Sequence, residues 1–274
     1  MTSGESRRSA TRHGEGARIS MHKVLVILRK EFLEIAQQRI LLYSILLPPL
    51  LFVVLPFIFL QKAGNGSKAS ALKVPSLQGL TVHEYSQGLV GTEFSNIYIL
   101  LSMIVPSVIA AYSIIGEKSN HTLEPLLATP VRRWQLLAGK MLSALLPAVL
   151  ITWISGGLFI AELAILTDAN VVSHVVTAGW LILFIASTPL LGLIAVAIMT
   201  AISSRVNDTR TAQQLSIWAV VPILGLILGE LSGQFELTAL AAVIATVILI
   251  PLAILLTWGA SQLFQRETIL TRWK

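Results

Sequence analysis

Gly139 and Lys140 come nearest in this chain to a phosphate-binding loop, and their surroundings rule one out. Such a loop ends in Gly-Lys followed by Ser or Thr, whose hydroxyl holds a magnesium ion, and it opens on a glycine five positions before that Gly-Lys. Met141 follows Lys140, and Trp134 stands where the opening glycine belongs. Metal chemistry has no better footing. His13, His22, His83, His121 and His174 are scattered without ligand spacing, and there is no cysteine to supply a thiolate. No nucleophile stands beside a base in a way that would suggest covalent catalysis. The sequence reads as a protein with no catalytic residue, no metal and no cofactor of its own.

What the residue types do offer is recognition. The stretch Gly116–Lys140, GEKSNHTLEPLLATPVRRWQLLAGK, is polar and lies between two apolar runs. Thr122 is a natural helix cap, and Pro125 falls in the first turn, where backbone donors have no intrahelical partner. Leu123, Leu126 and Leu127 then fall at i, i+3 and i+4 on one face of a short helix ending near Ala128. Three leucines on an exposed face require a partner. Thr129 and Pro130 give a second start signal, from which the next helix rises through Trp134. On that helix Arg132, Arg133 and Lys140 are predicted to lie at headgroup level, snorkelling toward anionic lipid.

The elements that hold this stretch are membrane helices. The chain has 274 residues, is 54% hydrophobic and only 12% charged, and has a mean hydropathy of +0.77, a balance foreign to soluble domains of this size. Residues 1–20 read as a disordered tail with little to bury, and 21–274 as one membrane domain. From Met21 to Arg39 the pattern is amphipathic: Met21, Val24, Leu25, Leu28, Phe32 and Ile35 line one face, and Lys23, Lys30, Glu34, Gln37 and Gln38 the other. That is the pattern of an interfacial helix.

Spans are predicted at Ile40–Leu60, Phe94–Ile115, Met141–Ala161, Val175–Ile202, Leu215–Leu231 and Leu237–Leu263, with a polar loop from Gln61 to about Glu93. The fold class is therefore all-α with six transmembrane helices. The first span holds 16 Leu, Ile, Val and Phe residues, which favour insertion by about 5–10 kcal/mol as an upper bound. Pro48, Pro49 and Pro56 are expected to kink it.

Of the 20 Lys and Arg, 17 fall on the side of the two termini and the Gly116–Lys140 loop, which makes that side cytoplasmic. The net charge of +6 and pI near 9.8 thus point to a membrane surface and not to nucleic acid. No span carries an ionisable residue near its centre, with Glu162 and Glu230 at outer ends, so a self-powered ion-coupled carrier is disfavoured. Gly225, Gly229 and Gly233 form a small-residue ridge in the fifth span. It suits either a subunit interface or packing within one bundle.

The Gly116–Lys140 stretch resembles the signature of type-2 ABC transporter permeases: a Glu-Lys pair closing the second span, then Gly-Thr-Leu-Glu, two leucines, Thr-Pro-Val, and Gly-Lys entering the third. The matching residues are Glu117, Lys118, Thr122, Leu123, Glu124, Leu126, Leu127, Thr129, Pro130, Val131, Gly139 and Lys140. His121 stands where the family usually has glycine, and Ser119 where an acid is common. Ser203–Ser216 and Phe264–Lys274 are similar to the corresponding loop and C-terminal end of sodium or drug efflux permeases.

The resemblance implies a half-transporter in a bacterial or archaeal plasma membrane. It would pair with a second permease, identical or not, and with two copies of a separate cytoplasmic ATPase that carries ATP and magnesium. It also implies that Glu117, Thr122, Leu123, Glu124, Leu126, Leu127, Pro130 and Val131 meet that ATPase, and that the amphipathic helix is the family's interfacial connecting helix. Export is the implied direction. The alternative reading is a non-transporting scaffold or assembly factor that recruits a cytoplasmic partner through the same loop.

Overall fold

Six helices are long and apolar enough to cross a membrane, as expected, and among the described residues there is no strand. The structure is a computed structural model that describes residues 25–63, 77, 79–119, 133–206, 208–231 and 238–263. The N-terminal tail, Thr122 to Val131, Gly233 and the C-terminal stretch from Phe264 lie outside these. Helix α1 covers residues 25–37 of the described chain. The spans are α2, Arg39–Ala63; α3, Val82–Ser119; α4, Arg133–Leu166; α6, Ala178–Ser203; α7, Thr209–Leu231; and α8, Ala239–Leu263. A short α5, Ala169–Val175, precedes α6.

Several helices outrun the spans read from hydropathy, because local capping decides where they begin. Residues expected in the loop up to Glu93 are already helical from Val82. Thr81 and Glu84 form a reciprocal cap: the Thr81 backbone N–H donates to Glu84 Oε2 at 2.9 Å, and the Glu84 N–H to Thr81 Oγ1 at 3.3 Å. Likewise α7 starts at Thr209, six residues before the expected Leu215, because Asp208 Oδ2 accepts the Thr211 backbone N–H at 3.0 Å. That bond and the Thr211 hydroxyl hold the Asp208 carboxyl below the usual carboxylate range. The stretch from Glu162 to His174, expected as a short loop, is instead the end of α4 and the whole of α5, whose Val171 and Val175 are buried.

Helix α3 is the hub. It packs against α2, α4, α5, α6 and α7, and 67% of its most apolar window is buried, against 6% for α7 and 11% for α8. The two peripheral helices therefore present their leucines, isoleucines and valines outward, to lipid or to another chain.

Proline in these helices deprives a carbonyl four residues earlier of its donor, and the bundle supplies replacements. Pro56 leaves the Phe52 carbonyl without its N–H; Tyr98 of α3 donates its hydroxyl there at 2.6 Å. In α6 a π-turn, Leu183–Ser187, runs up to Thr188 and Pro189. The Phe184 carbonyl accepts from the Thr188 hydroxyl and, at 3.3 Å, from Trp153 Nε1. The Phe184 ring stacks on Trp180 at 4.9 Å and meets Tyr98 edge-on at 6.4 Å.

Gly156 of α4 admits that ring. A Cβ built there would lie 2.2 Å from the tip of Phe184, whose ring has Trp180 and Tyr98 against it. Gly156→Ala is expected to cost about 1–3 kcal/mol by overpacking. Thermal unfolding followed by tryptophan fluorescence reads this, and the double variant Gly156→Ala/Phe184→Leu should recover most of the loss. An unchanged melting temperature in Gly156→Ala would contradict the packing described.

Candidate coupling site

The most tightly bound polar cluster among the described residues lies where α1, α3 and α4 meet. Ile27, Glu31 and Ile35 repeat every four residues along α1, and all three are buried. A helix that buries Ile27 and Ile35 against the bundle carries Glu31 in with them. This face is rotated from the expected one: Leu25, placed on the apolar side by periodicity, is exposed, as are Val26 and Leu33. The burial of Glu31 against a cation fixes the rotation.

That cation is Lys140. Its Nζ donates to Glu31 Oε1 at 3.0 Å, and the two side chains are only 2% and 3% exposed. Lys140 therefore does not snorkel to lipid, as its place after Arg132 and Arg133 suggested. The second turn of α4 is covered by α1, so the ammonium is shielded from solvent and has a buried carboxylate within reach. Ser113 of α3 completes the cluster. Its hydroxyl donates to Glu31 Oε2 at 2.7 Å and accepts from Lys140 Nζ at 3.2 Å. Burial alone would push the Glu31 carboxyl up, but the Lys140 ammonium, with the hydrogen bonds from Ser113 and Lys140, holds it below the usual carboxylate range. The cluster is thus an ionised pair in a low-dielectric setting, where charge-assisted bonds are strong and the loss of one partner is costly. At its rim Lys30 reaches Glu34 at 3.0 Å.

The position of the cluster matters more than its chemistry. Ser113 sits three residues before Gly116 in α3, and Lys140 seven residues after the described start of α4 at Arg133. The pair therefore clasps, through α1, the two helices that flank residues 120–132. Of the residues expected to dock a partner, Glu117 has its backbone in the last turn of α3, and Thr122, Leu123, Glu124, Leu126, Leu127, Pro130 and Val131 lie outside the described residues. Gly225 and Gly229 lie on α7. A Cβ at Gly225 would meet nothing within 4 Å, so among the described residues no helix packs against that point.

Sequence reading missed Glu31 and Ser113. The signal for Glu31 was present, a lone acid in line with two isoleucines at helical spacing. Ser113 offered none, since a serine in an apolar helix is ordinarily satisfied by its own backbone.

Six helices long and apolar enough to cross a membrane define a polytopic helical membrane protein. Residues 25–248 match the family of ABC-2 family transporter proteins, and the chain belongs to that family. It is also 32% identical over 226 residues to the probable ABC transporter permease protein NosY of Pseudomonas aeruginosa, an alignment covering 78% of this chain and 75% of that protein. This chain is accordingly a membrane subunit of an ABC transporter.

Proposed function

We propose that the chain forms half of the translocation path of an ABC exporter and is driven by a separate cytoplasmic ATPase, present in two copies, that binds the 117–131 segment. ATP and magnesium reside on that partner. In this reading Leu123, Leu126 and Leu127 supply the apolar anchor, Glu117 and Glu124 offer carboxylates at the rim, and Thr122, Pro130 and Val131 complete the contact. The lysine and arginine distribution supports a cytoplasmic position for this segment and for both termini.

The observation that carries the mechanism is the buried Glu31–Ser113–Lys140 cluster. A push on a loop held only at its two ends would be lost in the loop. Here the helix ends that receive it are bonded to each other and to α1, so all three move as one body. Closure of the ATPase pair then tilts α3 and α4, and α3, as the hub, carries the tilt to α2, α6 and α7. The open face at Gly225 and the exposed leucines of α7 favour pairing with a second permease along this helix.

The test is ATP turnover by the assembled complex in liposomes, screened with amphipathic cations, peptides and lipids. A transport subunit raises the ATPase rate with at least one compound class and loses that response when Lys140 is replaced. A scaffold leaves the partner's rate indifferent to every compound.

A further inference from the structure

A second polar region lies at the opposite end of α3. Asn96 is 17 residues from Ser113, about 25 Å along the helix axis. There α3, α5, the start of α6 and the end of α7 enclose a cavity of about 260 Å³ that Glu230 and Thr238 close on one side. This volume suits a ligand on the order of ten heavy atoms.

Its lining has a one-sided hydrogen-bonding character. Thr92 and Ser95 are buried and already spend their hydroxyl protons on the carbonyls of Gly88 and Thr92, at 2.9 and 2.8 Å. Ser173 spends its own on the Asn170 carbonyl at 2.8 Å. Each leaves oxygen lone pairs toward the cavity and no proton to give. The indole N–H of Trp180 is likewise committed, to the Ser95 carbonyl at 3.0 Å. His174 Nδ1 lies 2.7 Å from the Asn170 carbonyl, which accepts only, so the neutral ring leaves Nε2 as an acceptor. Uncommitted protons remain on Thr177 and Thr238, whose oxygens accept the backbone N–H groups of Trp180 and Ala241, and on the Asn96 amide. Asn96 Nδ2 is 3.4 Å from Glu230 Oε2. Among the described residues no lysine or arginine lines the cavity and Glu230 has no ion-pair partner.

We infer that this cavity binds a small primary ammonium compound, its –NH₃⁺ group held by Glu230 and by the surplus acceptors around Asn96, Thr92 and Ser95. A half-buried carboxylate is favoured in its charged form by a cation beside it. A primary ammonium offers three donors and no acceptor, which complements a lining rich in acceptors. The organic part lies against Val175 and Trp180. An anion would meet the Glu230 charge, and the donors left on Thr177, Thr238 and Asn96 carry no full positive charge to offset it. The inference does not depend on the ATPase reading, since every residue it names belongs to this chain.

Calorimetric titration of the purified full chain in nanodiscs, without ATP, tests it. Phenethylammonium should bind at least tenfold more tightly than its neutral counterpart 2-phenylethanol. Glu230→Gln, which preserves shape, should bring the amine down to the level of the alcohol, and Asn96→Ala should weaken it several-fold. Glu93→Gln, an exposed acid on the same helix, should change nothing. Three results would overturn the assignment: equal binding of amine and alcohol, full affinity in Glu230→Gln, or displacement of the amine by sodium at equal concentration, which marks a bare-cation site. Because no ATP is present, failure here leaves the coupling proposal untouched, and failure of ATPase stimulation leaves this one untouched.

Discussion

Lys140→Met is expected to destabilise the protein by about 3–5 kcal/mol, among the larger losses a single substitution produces, because it takes the closest cation from the buried Glu31 carboxylate. Glu31 would retain the Ser113 hydroxyl, 2.7 Å from its Oε2, and the part-exposed Lys30 ammonium, 3.7 Å from its Oε1. Thermal unfolding in detergent reads the loss. The double variant Glu31→Leu/Lys140→Met should return to wild-type stability or exceed it, since a buried ion pair replaced by apolar groups of similar volume is often neutral or stabilising. The same double variant should remain uncoupled, with ATP turnover no longer responding to transported compounds. Stability and coupling would then part company. A double variant that is stable and fully coupled would reduce the cluster to a packing device.

The pH dependence follows from the same geometry. Glu31 has its folded pKa depressed, so its stabilisation is present above the unfolded carboxylate value of about 4.3 and is lost as pH falls through the lower folded value. Melting temperature should therefore show no Glu31-dependent loss between pH 7 and 5. Any such loss should appear only in more acidic solution and be absent from the double variant.

The second large effect is expected at the loop. Leu126→Arg or Leu127→Arg should leave the chain inserted, because the flanking spans Val82–Gly116 and Trp134–Leu166 are unchanged, yet abolish assembly with the ATPase. A leucine anchor at the centre of an interface typically carries 2 kcal/mol or more, and a buried unpaired guanidinium adds to the loss, so a decrease in affinity of about 30-fold to 1,000-fold follows. Co-purification of tagged variants from membranes reads this directly. The Leu123, Leu126 and Leu127 face should respond in all three positions, and Ser119→Arg, on the polar approach to the helix, much less. Normal recovery of the ATPase with either leucine variant would remove the docking assignment.

The architecture was largely legible in the residues because hydropathy is a one-dimensional signal: an apolar run must be long enough to span the bilayer, and six runs are. What hydropathy does not carry is where polar helix ends continue beyond the apolar core. Thr81 with Glu84 and Asp208 with Thr211 set those limits by local hydrogen bonds, and both caps stood in the sequence as Thr-x-x-Glu and Asp-x-x-Thr. The Glu31–Ser113–Lys140 cluster was legible only in part. Lys140 was singled out, but its environment was inferred from its neighbours Arg132 and Arg133, whereas α1, distant in sequence, covers it. Glu31 and Lys140 are 109 residues apart. Periodicity shows which face of a helix is apolar; it does not show that a charge of opposite sign waits on another element to receive an acid from that face. The cavity at Asn96 and Glu230 was hidden for the same reason, its residues coming from four helices.

The central claim is that this chain works with a separate ATPase, and the most direct measurement is a mild-detergent pull-down of the tagged protein from its native membranes, with co-purifying chains identified by mass spectrometry. A soluble P-loop ATPase recovered in equal number to the permease is the predicted result, and it should disappear with Leu127→Arg. Recovery of an intact, dimeric permease alone, in several detergents that preserve its fold, would contradict the account.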